Sequence, residues 1–128
     1  MSERMYKGYL PGQHVISAYG AGGFRFADMS HRGSLLVMPS GIHAIDAVQI
    51  GDVTLAMLAP LLDLPKGLVS FLLIGTGAKL EPIGVDLRRG LVEQGITLEA
   101  MATGHAIATY NIMMEEQRPV AAVLLASA

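Results

Sequence analysis

The residues best placed to do chemistry are Gly75, Thr76 and Gly77, which lie between the apolar run Leu68–Ile74 and a stretch with helical spacing. A glycine turn between a buried strand and a helix is where α/β proteins hold phosphates, on backbone N–H groups and the positive end of the helix. The dinucleotide fingerprint fails at Leu80, where its third glycine belongs, and no Gly-Lys-Ser/Thr follows. Glu81, at the start of the next helix, would repel an anion. The segment therefore reads first as a tight strand-to-helix turn and second as a small-ligand or nucleotide site. Thr76, Thr103 and Asn111 all fall near strand ends and could share a polar pocket beside Tyr110. Gly75, Thr76, Gly77, Thr103, Tyr110 and Asn111 are thus the candidate ligand contacts. Glu116 and Arg118, at the end of the last helix, are candidate contacts for a partner, with a solvated helix end as the plainer reading.

Other constellations are weaker. Asp28, Ser30 and His31 supply the residue types of a hydrolase triad, but they crowd one tight turn and no Gly-x-Ser-x-Gly elbow exists. His14, His31, His43 and His105 are scattered without metal-ligand spacing, so no metal or other cofactor is expected. With no cysteine, a thiol nucleophile, a disulfide and a cysteine-held zinc are all excluded. No catalytic set emerges, and the chain reads as a non-enzyme. Eight methionines are scattered along it, and filling gaps in the core is their commoner use.

The elements that must carry these residues follow from length and patterning. The 128 residues suggest one domain, with residues 1–12 as a loosely ordered N-terminal arm. Apolar residues make up 52% and charged residues 16%, against about 45–50% and about 25% in an average chain. A substantial core is therefore within reach, and disorder is excluded as the main state. A net charge of −2 argues against a nucleic-acid binder, which needs a basic face. The N-terminal Met1–Gly8 stretch has no apolar run before its charges, so it is no signal peptide, and no segment is apolar and long enough for a membrane span. The spare apolar residues leave room for a contact surface.

Along the chain, His14–Tyr19 is expected to be a strand broken by the glycines at 20–23. Phe24–Phe26 alternates with Arg25 on the opposite face from the two rings. Residues 28–33 read as a turn, and Ser34–Met38 as a strand ended by Pro39. Leu55, Leu58, Leu61 and Leu62 predict a helix capped by Asp52 and shortened by Pro60. Leu68–Ile74 is a strand buried on both faces. Pro82 is expected to open a helix carrying Ile83, Leu87 and Leu91 on one stripe, closed by Gly95. Ile96–Met101 is a strand. Thr103 is expected to cap the last helix, whose apolar side carries Ala106, Ile107, Tyr110, Met113 and Met114. Pro119–Ala126 is the last strand. The expected fold is α/β (mixed α+β): N-terminal antiparallel strands, then a β-α-β-α-β unit with parallel strands and right-handed crossovers.

Several of these segments, in this order, resemble a known family. They are Leu72–Gly77, Gly95-Ile96, Glu99–Met101, Thr103, Ala108–Asn111, Glu116–Arg118 and Ala121-Ala122. Tyr19–Phe24 and Gly33–Pro39 fit the same pattern. The chain is similar, from about His14 to Leu125, to mitochondrial complex I assembly factor 3 and its uncharacterised bacterial relatives. That resemblance implies a three-layer β/β/α domain. It also implies an assembly or interaction factor with protein partners, either respiratory complex I intermediates or export components, and no established enzymatic activity. A cytoplasmic protein peripheral to the inner membrane through a partner would fit, as would a processed form in the mitochondrial matrix. A homodimer is the base-rate expectation for an apolar chain. The chain departs from the family at three places. Ile107 stands where relatives often carry Cys, which argues for packing and against thiol chemistry there. Gln117 stands where many carry Gly, and Ile45 where a Trp is frequent.

Overall fold

Three strands are buried along almost their whole length, so both of their faces must be covered. They are Ser34–Met38 (β5), Phe71–Gly75 (β7) and Val120–Leu124 (β9). A computed structural model describes residues 8–126 and places these three side by side at the centre of a six-stranded sheet. Outside them lie Thr97–Met101 (β8) on one edge, and Gly41–Ile45 (β6) then Tyr9–Pro11 (β1) on the other. The order is β1-β6-β5-β9-β7-β8. β8, β7 and β9 are mutually parallel, and β5 joins β9 antiparallel.

Period-two alternation sends neighbouring residues to opposite layers. Leu36, Met38, Leu72, Ile74 and Val123 face Leu58 and Leu61 of the segment around Ala59–Leu62 (α1), and Leu87 and Leu91 of Val85–Glu93 (α2). Leu35, Val37, Leu73, Ala122 and Leu124 face Ala106, Ile107, Tyr110 and Met114 of Thr103–Glu115 (α3). The same side is covered by a three-stranded sheet of Ala18–Gly20 (β2), Gly23–Phe26 (β3) and Met29–Arg32 (β4), through Phe24, Phe26 and Met29. The three layers and the mixed α+β class are as expected, with α3 and the small sheet sharing one outer layer. Right-handed crossovers that run in opposite directions put their helices on opposite faces. β7-α2-β8 moves outward and β8-α3-β9 returns across β7, and α2 and α3 do lie on opposite faces.

The structure corrects several local expectations. Residues 12–17 are irregular, and the first strand of the small sheet starts only at Ala18. Residues 28–33 are not one turn. The turn is Ala27-Asp28, with φ of 51° and 61°, and β4 follows it at once. Positive φ at both central residues of a two-residue hairpin is what the twist of the strands favours, and Ala21-Gly22 does the same between β2 and β3. The arm expected over residues 1–12 is, over 9–11, a strand paired with β6, anchored by Tyr9 Oη donating to Ser40 O at 3.1 Å. Residues 1–7 lie outside the described residues. Pro82 does not open α2, which begins at Val85. Asp52 accepts the backbone N–H groups of Val48 and Gln49, closing the 3-10 turn Ile50–Asp52 rather than capping a helix after it. Those two bonds hold its carboxyl below the usual range.

The helix ends differ in an instructive way. α2 closes on Gly95 at φ +80, with Ile96 N donating to Leu91 O and Gly95 N to Val92 O. α3 closes with the same pair of bonds, Arg118 N to Met113 O and Gln117 N to Met114 O, but its left-handed residue is Gln117 at φ +61. A side chain there is strained where glycine is not. Gln117→Gly is expected to raise stability by about 0.5–1 kcal/mol, read as a higher denaturation midpoint at unchanged slope. At Gly75 the constraint has the opposite sign. A Cβ there would sit 2.9 Å from Thr103 Cα and 3.2 Å from Ala106 Cβ. Gly75→Ala is expected to lower stability by about 1–3 kcal/mol, because α3 must lift off β7.

Candidate functional site

The structure brings Gly75, Thr76, Gly77 and Thr103 together where β7 and β9 end beneath the first turn of α3. Here the two crossovers part, the place where open α/β sheets hold ligands. The polar groups of this turn are engaged with one another. Gly77 N donates to Thr103 Oγ1 at 2.9 Å, and Thr103 N donates back to Gly77 O at 2.8 Å. Thr103 Oγ1 donates to Leu125 O at 2.8 Å, and Leu125 N donates to Gly75 O at 3.0 Å. Thr76 Oγ1 donates to Lys79 O at 2.8 Å and accepts from Glu81 N at 2.9 Å. Thr103 is fully buried and Thr76 nearly so. Thr103 is therefore not the cap of its own helix, as the sequence suggested. It is the first residue of α3, behind Ala102, and its hydroxyl ties β7 to the segment that follows β9.

Tyr110 and Asn111, next to each other on α3, point to different tasks. Tyr110 is fully buried among the apolar residues under the small sheet. Tyr110 Oη has no hydrogen-bond partner among the described residues, and burial pushes its pKa up to about 12. Asn111 clips the irregular strap at residues 12–17 to α3. Its Oδ1 accepts from Ile16 N at 3.0 Å and its Nδ2 donates to Ile16 O at 2.9 Å. Glu116 and Arg118 lie beyond the helix end and pair at 3.6 Å, both well exposed. The structure thus groups the turn residues with Thr103 and leaves Tyr110, Asn111, Glu116 and Arg118 in three other settings.

The four histidines sit on separate elements, and no group of three or more metal-ligating side chains occurs among the described residues. Burial holds His31 and His43 below the ordinary imidazole value; at His31 a hydrogen bond with Ser34 works the other way. Asp28, Ser30 and His31 form no triad. Asp28 is in the hairpin turn, and Ser30 and His31 are successive residues of β4, pointing to opposite faces.

A cavity of about 630 Å³ lies on the small sheet, away from the turn. Its lining includes Arg25, Ser30, His31 and Arg32, with no carboxylate among the described residues. Arg25 Nη1 donates to Ser30 Oγ at 3.0 Å. Sequence reasoning missed this place because it took residues 28–33 for a turn. The signal was present: once Arg25 is on the outer face of a strand, a hairpin after Phe26 puts Ser30 and Arg32 on that face too.

Comparisons with other proteins bear on the whole fold. The sequence pattern of the family described as protein of unknown function DUF498/DUF598 matches residues 16–125. An uncharacterised protein of Rhodobacter capsulatus is 38% identical over 94% of this chain and 87% of its own length. The NADH dehydrogenase (ubiquinone) 1 alpha subcomplex assembly factor 3 of Danio rerio is 30% identical over 87% of this chain, which spans 63% of that protein's length. The crystal structure of an outer membrane protein from Bartonella henselae superposes with a TM-score of 0.85 at 44% identity, covering 92% of this chain and 98% of that one. The match takes in the small sheet, every strand of the main sheet but β1, α3 and the Gly75–Gly77 turn, and on it the chain belongs to the DUF498/DUF598 family of proteins of unknown function.

Proposed function

We propose that this protein is a non-enzymatic assembly or interaction factor whose client is a membrane complex such as respiratory complex I. The observation that supports this most is its 30% identity, over 87% of the chain, with a protein named as an NADH dehydrogenase assembly factor. On this reading it acts from the cytoplasm or the mitochondrial matrix and reaches the inner membrane through its partner. No helix among the described residues is long and apolar enough to cross a membrane. Export components are the other client of the same kind, and a homodimer is the default assembly.

The ligand-binding reading of Gly75, Thr76 and Gly77 draws less support. The Gly77 N–H and the Thr103 hydroxyl, which would have to meet an anion, already meet each other. In our reading this turn is a structural joint.

Two measurements follow. The tagged protein, captured from gently solubilised membranes of its own cell, is expected to bring complex I subunits with it, and deletion of its gene to lower the amount of fully assembled complex I on a native gel. Normal assembly in the deletion strain, with no complex subunits in the eluate, would overturn the proposal. For the joint, Thr103→Val keeps the shape and removes the hydroxyl, leaving Gly77 N–H and Leu125 C=O buried and unpaired. A loss of about 2–4 kcal/mol in unfolding free energy is expected, with Thr103→Ser losing much less. Full stability in Thr103→Val would refute the structural role.

A further inference from the structure

The outer face of the small sheet is built unlike the rest of the surface. Direct pairs across it are Ala18 with Arg25, Arg25 with Ser30, Gly20 with Gly23 and Gly23 with Arg32. These six residues share one face, because they are opposed in register and alternate residues of a strand point the same way. They line the 630 Å³ cavity. Its floor is open at Gly20, where a Cβ would meet nothing within 4 Å, and closely packed at Gly23, where a Cβ would overlap the carbonyl of His31. Arg25 and Arg32 stand over that floor. Both are exposed, in a chain whose net charge is −2. Each is steadied by a neutral oxygen: Arg25 Nη1 by Ser30 Oγ at 3.0 Å, and Arg32 Nη1 by Ala21 O at 3.4 Å. Among the described residues neither has a carboxylate within ion-pair distance, and the remaining N–H groups of both forks stay available.

The spacing selects among anions. Arg32 is two residues along β4 from Ser30, the direct partner of Arg25, so the two arginines are diagonal neighbours about 7–8 Å apart, with their Cβ atoms somewhat closer. Alternate side chains of an extended peptide are about 6.7 Å apart. A single phosphate would meet both forks only if the two side chains converged from the positions in which Ser30 and Ala21 hold them. Two carboxylates at positions i and i+2 of an extended segment match the pair directly, each able to take a bidentate guanidinium contact. The open, glycine-floored groove gives such a segment room to lie across the sheet.

We propose that this groove is a docking site for an extended acidic segment of a protein partner, read by Arg25 and Arg32 as a carboxylate-x-carboxylate pattern. The inference deepens the assembly-factor reading by naming the chemistry of the client contact, and it rests on that reading only for the source of the segment.

The test uses the full chain and fluorescein-labelled eight-residue peptides that differ only in the placing of two aspartates, followed by fluorescence anisotropy. The peptide with aspartates at i and i+2 is expected to bind, its affinity falling as salt rises. The peptide with adjacent aspartates, and the one with asparagines instead, are each expected to bind at least about tenfold more weakly. The double variant Arg25→Ala/Arg32→Ala is expected to lose the same factor at an unchanged melting temperature, while Arg88→Ala/Arg89→Ala on α2 keeps wild-type affinity. Equal binding of all three peptides, or no loss in the Arg25/Arg32 variant, overturns the proposal. So does saturable binding of inorganic phosphate with no peptide binding, which would make the groove a small-anion site. If the tagged wild-type protein still captures complex I subunits while no peptide binds, the groove inference fails alone. If the peptide binds and no complex subunit is captured, the client fails and the groove stands.

Discussion

One buried hydroxyl joins the parts of this fold that come from farthest apart in its parallel half. Thr103 Oγ1 accepts from Gly77 and donates to Leu125, so the ends of β7 and β9 and the start of α3 meet at a single oxygen. In water each of these groups would bond to solvent. In the interior an unmade bond costs about 1–3 kcal/mol, so the three segments hold one register. Gly75 is the steric side of the same constraint, because only a residue without Cβ lets α3 come this close to β7. Ser34 plays the matching part at the antiparallel side. Its buried Oγ donates to Ala47 O at 2.7 Å and accepts from Ala126 N at 3.0 Å. Two small hydroxyl side chains thus fix both flanks of β9, and at the crevice where related topologies place a ligand the Gly77 N–H and the Thr103 hydroxyl are paired with each other.

How much of this could be read from the chain alone depended on how local the signal was. The buried strands β5, β7 and β9 were legible as uninterrupted apolar runs, and β7-α2-β8-α3-β9 as an alternation of periods. Gly95 announced the end of α2 because its left-handed conformation selects glycine. The end of α3 carried no such sign, since Gln117 occupies the same conformation against its own preference. The β3–β4 hairpin was hidden for a similar reason: Ala27-Asp28 does not look like the Asn-Gly or Asp-Gly pair that a two-residue turn favours. The partners of Thr103 and Tyr110 were not legible at all. Which oxygen a hydroxyl meets is decided by residues 22 and 26 positions away, and a missing partner for Tyr110 is a property of the assembled core.

The charged surface and the core follow separate rules. The pair Arg118–Glu116 is exposed and adds little to stability, whereas each fully buried large side chain between the layers contributes about 1.5–3 kcal/mol. The small sheet shows the two rules on opposite faces. Phe24, Phe26 and Met29 hold it to α3 and the central sheet, and on the outer face Gly23 alone is closely packed, against the backbone of β4. Arg25 and Arg32 stand exposed on that face, outside the core, while Gly23 is held to glycine by the strand beside it.

The position of β9 has a consequence for how the molecule is made. It lies between β5 and β7, so the antiparallel and parallel halves of the main sheet touch only through the last strand of the described chain. Leu35 pairs with Leu124, and Asn111 reaches back across 95 positions to Ile16. During synthesis the first eight strands therefore have no way to join into one sheet, and the flanks of β5 and β7 stay open until β9 is available to fill the gap. Contacts this distant in sequence make closure slow, because the loop entropy must be lost before the contacts form. Until β9 is made the two halves of the main sheet stay apart, with apolar strand edges that other chains, or a chaperone, can reach in the interval.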